Sequence, residues 1–285
     1  MTATPFADRL FDAIEGVGSA ACVGLDPDVA RLPGGPGEGS PAEAIEEFSL
    51  GVLEAIVPDG GPIVAAVKAQ SACYERYGSA GVVALERTIE RANELGLVVI
   101  LDAKRGDIGV SARHYAAAAA GMGVHAITVN AYLGPETVEP YLEAGLGVFV
   151  LVRTSNPGSD AVQSRVLRDD RTVAEMMADH VAELGERYMS KNGYSSVGAV
   201  VGATKPGDAE AMRARMPRQF FLVPGFGAQG GTVESVRGLV DARGGGVLVS
   251  ASRSVIYPAQ PEGTDWRASI RSAASAFADE VRALG

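Results

Sequence analysis

The 285-residue chain predicts an α/β fold, a (β/α)8 TIM barrel in a single domain. Three observations predict it. Eight short runs, almost continuously apolar, recur along the chain; stretches of helical character lie between them; and polar residues collect where the runs end. Strands that are apolar on both faces suit a parallel sheet covered on both sides. Eight β-α units in about this length fit a closed barrel better than an open doubly wound sheet.

The first run, 20–25, reads Ala-Ala-Cys-Val-Gly-Leu, and the second, 63–68, reads Ile-Val-Ala-Ala-Val-Lys. The third spans 97–102 and the fourth, His-Ala-Ile-Thr-Val-Asn, spans 125–130. The fifth, 147–152, is Gly-Val-Phe-Val-Leu-Val, followed by runs at 197–202, 220–223 and 246–251. Each is short and bounded by turn residues, as strands are. Amphipathic spacing predicts helices over 81–95, 135–144, 172–188, 208–216 and 232–241, and a closing helix over 266–284. The alanine run 116–120 is good helix material. Two irregular insertions interrupt the pattern: Gly-Gly-Pro-Gly-Glu-Gly at 34–39, and a Pro, Gly, Ser and Asp segment at about 156–171 after the fifth strand. Neither has the composition of a domain linker, so residues 1–285 are expected to form one barrel domain.

A hydrophobic content of 47% with 36 glycines suits a large core joined by tight turns. The net charge of -10 argues against a nucleic-acid footprint, which needs a basic face. Two cysteines, Cys22 and Cys73, are too few for a disulfide scaffold and read as reduced structural thiols. The chain starts without a basic segment followed by an apolar run, so no signal peptide is expected. No apolar stretch approaches the ~20 residues of a membrane span. A soluble, cytoplasmic protein is expected.

The strand ends carry the chemistry. The first strand finishes at Asp26, the second at Lys68, and the third at Asp102 and Lys104. The fifth leads into Thr154, Ser155 and Asn156, the seventh into Pro224 and a glycine loop, and the eighth into Ser252 and Arg253. In a barrel these positions meet at the C-terminal rim, where active sites of this fold lie. Alternation along a strand points Asp102 and Lys104 the same way, with Asp107 beyond a turn made by Arg105 and Gly106. Crowding such charges at an apolar strand tip costs roughly several kcal/mol unless they pair or meet a ligand.

The loop 225–231 contains a formal G-x-G-x-x-G between strand and helix. A dinucleotide fingerprint would open a nucleotide-binding half and be followed by a ribose-holding acid. This loop follows the seventh strand, and the next strand ends at Arg253. A phosphate cradle fits better, with backbone N–H groups, a helix N-terminus near 232 and the Arg253 fork converging on one anion. A phosphorylated small molecule is the implied ligand. His125 is expected to pack at the start of a strand, and His114 and His180 lie on predicted helices. No pair has metal-ligand spacing, and no G-x-S-x-G elbow occurs. No metal and no organic cofactor are expected.

With these residues in place, the chain resembles the orotidine 5'-phosphate decarboxylase family, in its longer bacterial form, over roughly residues 8–280. The segment Asp102-Ala-Lys104-Arg-Gly-Asp107-Ile108 is similar to the family's Asp-x-Lys-x-x-Asp-Ile signature. The resemblance implies cofactor-free conversion of orotidine monophosphate to uridine monophosphate and carbon dioxide, by a homodimer with sites at its interface. It implies that Lys104 protonates C6, that Asp102 faces the substrate carboxylate and that Lys68 completes the acid–base row. Asp107 and Ile108 would be lent to the neighbouring subunit, and Asp26 would lie near the ribose. Ser155 would meet the pyrimidine amide, and Gln229, Gly230 and Arg253 would grip the phosphate, with Pro224 opening a loop that closes on it. Two positions depart from the pattern. Ser111 stands where many relatives have Thr, and Ser252 where Gly often precedes the arginine; a hydroxyl and a backbone N–H survive these changes.

Two alternatives are weighed against it. A magnesium-dependent sugar-phosphate decarboxylase of the same superfamily would place an acid on strand two, where this chain has Lys68. A catalytically silent nucleotide-binding module would have no use for a buried row of alternating charges.

Overall fold

The computed structural model describes residues 4–35, 37–203, 206–227, 231–259 and 265–284. Eight parallel strands close into a barrel in sequence order: β1 (Ala21–Leu25), β2 (Ala66–Gln70), β3 (Val98–Arg105), β4 (Ala126–Val129), β5 (Gly147–Arg153), β6 (Ser195–Val201), β7 (Gln219–Val223) and β8 (Val247–Ala251). β8 returns to β1 with Cys22 opposite Ser250, which closes the ring. The expected (β/α)8 barrel is the observed architecture.

Side-chain alternation divides the core in two. Val99 and Leu101 of β3 face outward with Val67 and Ile127, against helix residues such as Leu53, Leu85 and Ile89. Val98 and Ile100 face inward with Cys22, Ala66, Phe149, Phe220 and Leu248. Parallel strands buried on both faces need apolar residues at every position, hence the runs in the sequence.

The helix Phe6–Val17, not among the predicted elements, closes the N-terminal end of the barrel. Phe6, Ala7 and Leu10 join the inner core. The Phe6 ring meets that of Phe149 edge-on, with centroids 5.7 Å apart. Gly147 makes this possible, since a Cβ there would lie 2.1 Å from the Phe6 ring. Further along, Pro41–Ile56 starts with a Ser40–Glu43 capping box and a proline in its first turn, which ends the irregular stretch before it.

Some boundaries differ from expectation. β2 lies a few residues later than 63–68, so Lys68 sits inside the strand and not at its tip. β3 runs on to Arg105, so the turn begins at Gly106. The helix expected over 135–144 breaks into a 3-10 turn, Pro135–Thr137, and a short helix, Glu139–Glu143. Pro140, which has no N–H to donate, is tolerated only in the first turn of that second piece. The helix expected over 232–241 is only Val233–Arg237. The insertion after β5 carries structure of its own, a 3-10 turn at Pro157–Ser159 and a helix turn at Asp160–Gln163. Among the described residues, no helix is long and apolar enough to cross a membrane.

Candidate active site at the C-terminal rim

The C-terminal ends of the strands surround a cavity of about 780 Å³. Of the residues singled out in the sequence, Asp26, Lys68, Asp102, Lys104, Ser155, Pro224, Ser252 and Arg253 line it. Asp107, Ile108 and Ser111 do not. They follow β3 over the rim, where Ile108 is 58% exposed and Ser111 lies on the outer helix Gly109–Gly121. Gln229 and Gly230 lie outside the described residues.

Asp102 is the hub. Its Oδ2 accepts a hydrogen bond from Lys68 Nζ at 2.8 Å, and its Oδ1 accepts from Lys104 Nζ at 2.6 Å. Thr128 Oγ1 donates a third, at 2.9 Å, to Oδ1. On the far side of Lys68, Asp26 Oδ1 lies 3.9 Å from the ammonium. The row therefore reads Asp26, Lys68, Asp102, Lys104, with opposite charges adjacent throughout.

Burial sets its electrostatics. The side chains of Lys68 and Asp102 are only 7% and 8% exposed, whereas Lys104 is 46% exposed. Burial alone would raise the Asp102 carboxyl, but the two ammoniums and their hydrogen bonds outweigh it and hold the group below its ordinary 3.8. Burial likewise disfavours a charged Lys68, and the carboxylates of Asp102 and Asp26 overcome it, so this ammonium is held above its ordinary 10.5. A buried pair of this kind needs further hydrogen bonds to offset the desolvation of both charges. Here the third hydrogen bond, from Thr128, completes Asp102.

Strand alternation alone does not deliver Lys104. Between Leu101 and Arg105 the pairing of β3 with β4 shifts register, and Lys104 has φ 47°, a left-handed conformation rare outside glycine. Such bulges re-aim a side chain at a site, and the strain, of order 1–3 kcal/mol, must be held by the surroundings. Thr128 does the holding, because its hydroxyl accepts the Lys104 backbone N–H at 2.9 Å while donating to Asp102. The chain then leaves the strand past Gly106, where a Cβ would lie 2.7 Å from the Asn130 carbonyl oxygen. Thr128 was not among the sequence candidates. Its signal was available, as an inward-facing hydroxyl on β4 beside the polar end of β3.

The opposite wall belongs to the end of β5. Thr154 N–H donates to Gln163 Oε1, and Gln163 Nε2 donates to Thr154 Oγ1, both at 2.9 Å, so the insertion is clamped beside Ser155. Arg153 is buried and bonds Asp208 and Asp160 at 2.6 Å each, tying the same insertion to the helix Pro206–Arg215. The insertion thus forms a fixed side of the cavity, with Asn156, Gly158, Val162 and Gln163 on its lining.

Of the expected phosphate cradle, residues 228–230 of the glycine loop lie outside the described residues, and the helix that follows them is short. The helix after the glycine loop is five residues long, and its N-cap Thr232 is already bonded to Ser235 N–H. Its dipole is correspondingly small. Arg253, exposed at the start of the short helix Arg253–Ile256, is the cation that remains on that side of the cavity among the described residues. Elsewhere, His125 stands just before β4, its Nδ1 accepting Val99 N–H at 3.0 Å. The free thiols of Cys22 and Cys73 are pushed up by burial to about 12 and 11. Among the described residues, no group of three His, Cys, Asp or Glu side chains comes together that could hold a metal ion.

Comparison with known proteins converges on one family. The family described as Orotidine 5'-phosphate decarboxylase / HUMPS matches residues 21–264. An orotidine 5'-phosphate decarboxylase of Rhodopirellula baltica is 37% identical, covering 97% of this chain and 99% of the relative. One of Deinococcus radiodurans is 43% identical, covering 93% and 92%. The solved structure of Leishmania donovani OMP decarboxylase superposes with a TM-score of 0.80 at 32% identity, covering 99% of this chain and 98% of that one. Charge row, barrel rim and matched length agree, and the chain belongs to the orotidine 5'-phosphate decarboxylase / HUMPS family.

Proposed function

We propose that this chain decarboxylates orotidine 5'-monophosphate to uridine 5'-monophosphate, with Lys104 as the proton donor to C6. The observation that carries the proposal is the buried row in which one carboxylate, Asp102, receives two ammoniums at 2.8 and 2.6 Å beside a cavity with Arg253 on its rim. Loss of carbon dioxide from C6 leaves an electron pair with no neighbouring carbonyl placed to take it as an enolate. A fixed cation is the direct remedy, and it is preorganised here before any substrate arrives. Lys104 is the more exposed of the two ammoniums, so it faces the cavity and gives its proton to the carbon that has lost the carboxylate. Lys68, at 7% exposure, stays behind to keep Asp102 ionised. Asp102 in turn holds Lys104 in place.

Around that centre, Ser155 reads the pyrimidine, Asp26 the ribose, and Arg253 with Ser252, Pro224, Gln229 and Gly230 the phosphate. Binding energy collected at the phosphate lowers the barrier at C6, because remote contacts fix the geometry of the reacting end. Asp107, Ile108 and Ser111 act on a second copy of the chain in a homodimer. Their position over the rim, next to exposed Val110 and Tyr115 on the helix Gly109–Gly121, supports that arrangement. We place the enzyme in the cytoplasm, where its two unpaired cysteines stay reduced.

The magnesium-dependent sugar-phosphate decarboxylase alternative is less well supported. An ammonium at Lys68, 3.9 Å from Asp26 and 2.8 Å from Asp102, stands where a divalent cation would need a ligand. The test is an absorbance assay of the orotidine chromophore with purified chain, with and without chelator. Loss of the chromophore at an unchanged rate in chelator is expected. No loss of chromophore would overturn the proposal, and inhibition of that loss by chelator would overturn its metal-free mechanism.

A further inference from the structure

Asp26 is positioned in an indirect way. Its Oδ1 is shielded from solvent and accepts no hydrogen bond, and its nearest cation, Lys68, is 3.9 Å away. A carboxylate without bonds of its own takes its place from the backbone that carries it. That backbone is held by Tyr257. The Tyr257 hydroxyl accepts Asp28 N–H at 2.6 Å and lies 3.5 Å from the Asp26 carbonyl oxygen, toward which it donates. One hydroxyl can do both at once, with one proton and two lone pairs.

The ring itself is fixed. Phe48 stacks on it, with centroids 5.3 Å apart and planes 5° from parallel, and the Arg31 guanidinium sits 4.1 Å from its centroid. The Tyr257 backbone N–H meanwhile donates to Arg253 O at 3.2 Å, ending the short helix that Arg253 begins. One residue therefore joins the segment bearing Asp26 to the segment bearing Arg253. Tyr257 does not line the cavity, so any effect on the reaction passes through those two segments.

We infer that Tyr257 is a positioning residue that sets Asp26 against the sugar of the bound nucleotide, in register with the phosphate contact at Arg253. The inference rests on the decarboxylase proposal for the site. Burial, with the Asp28 carboxylate nearby, pushes the phenol up to about 12, so its proton is retained across the working range.

The test is a double-mutant cycle of Tyr257→Phe and Asp26→Asn. Phenylalanine keeps the stacked ring and removes only the hydroxyl. Tyr257→Phe is expected to lower kcat/KM about five-fold, chiefly through KM, and to lower it less than about two-fold when Asp26 is already Asn. Equal losses in both backgrounds would overturn the inference, as would a lowered Tm with kcat and KM unchanged. Tyr74→Phe is the control for a merely structural hydroxyl. That buried tyrosine meets Ser49 at 2.8 Å in the helix layer, and its loss is expected to lower Tm alone. Calorimetric titration of the four chains with uridine monophosphate reads the same coupling without turnover. It separates a failure of the decarboxylase proposal, in which wild-type chain binds the nucleotide but does not consume orotidine monophosphate, from a failure of this one. Unchanged affinity in Asp26→Asn alone would also overturn it.

Discussion

At the N-terminal end of the strands, Phe6 fills the barrel axis against Phe149 at 5.7 Å, among Ala7, Leu10, Val98 and Phe220. At the C-terminal end of the same strands, the same inward alternation presents Lys68, Asp102 and Thr128 to an open cavity, and the bulge in β3 adds Lys104. β3 shows the change within one strand: Val98 and Ile100 are buried apolar, and two residues further the inward position is an ionised acid. The lower end gains stability from area removed from water. The upper end forgoes that gain, keeps two charges below a tenth exposed, and tolerates a left-handed lysine. Stability and chemistry are thus kept at opposite ends of one barrel.

The sharpest way to break this division is Lys104→Ala. If the upper end serves chemistry alone, kcat falls about 10⁴-fold or more, since a cation and a proton are lost together. Tm and uridine monophosphate affinity should stay close to wild type, because Asp102 retains Lys68 and Thr128. Turnover near the wild-type rate would remove Lys104 from its proposed role.

The converse change is Phe6→Ala, at a residue 4% exposed. Emptying that position should cost about 3–5 kcal/mol of unfolding free energy in denaturant titration. Below the transition, kcat per folded molecule should not change. A drop in kcat without loss of stability would mean that the plug reaches the site, and the two ends would not be separable.

Arg253→Ala asks whether the rim contributes away from the reacting carbon. Its guanidinium is exposed and far from the charge row in the chain, so the fold should be indifferent to it. A loss in kcat/KM of about 10²-fold is expected, in line with a charge-assisted phosphate contact. Inorganic phosphite added with a substrate lacking its phosphate should recover part of the wild-type difference, and less of it in the variant. An unchanged kcat/KM would remove Arg253 from the phosphate site.

The sequence made the upper end more legible than the lower. Polar residues at the tips of apolar runs stand out, because nothing structural calls for them there; Asp26, Lys68, Asp102 and Lys104 were visible for that reason. Their roles came from the resemblance, since spacing alone says nothing about a pyrimidine. The Phe6–Val17 helix carried no comparable signal, as an amphipathic segment reads the same whether it packs beside a barrel or beneath it. The bulge at Lys104 was hidden too. Strand alternation predicted that Lys104 would meet Asp102, and it does, but through a register shift that Thr128 supports from the neighbouring strand. Tyr257 and Gln163 act through contacts with distant or folded-back segments, which periodicity does not encode.

The smallest effect sharpens the comparison through acid stability, because each end holds a group whose protonation is shifted by the fold. His125, just before β4, is lowered by burial, and by the charge of Arg9, from 6.5 to about 4. Its neutral form is the folded one, so its contribution is fully present above pH 6.5 and is lost as pH falls toward about 4. Asp102 is also lowered, but from 3.8, so its contribution persists above that value and is lost only at more acid pH. Tm should therefore decline in two stages on acidification, the first belonging to the lower end. His125→Asn, which keeps an acceptor for Val99 N–H, should flatten the first stage and leave the second. A wild-type Tm that is level from pH 6.5 to 4 would show that His125 accommodates its charge without cost, and acid sensitivity would then lie with the upper end alone.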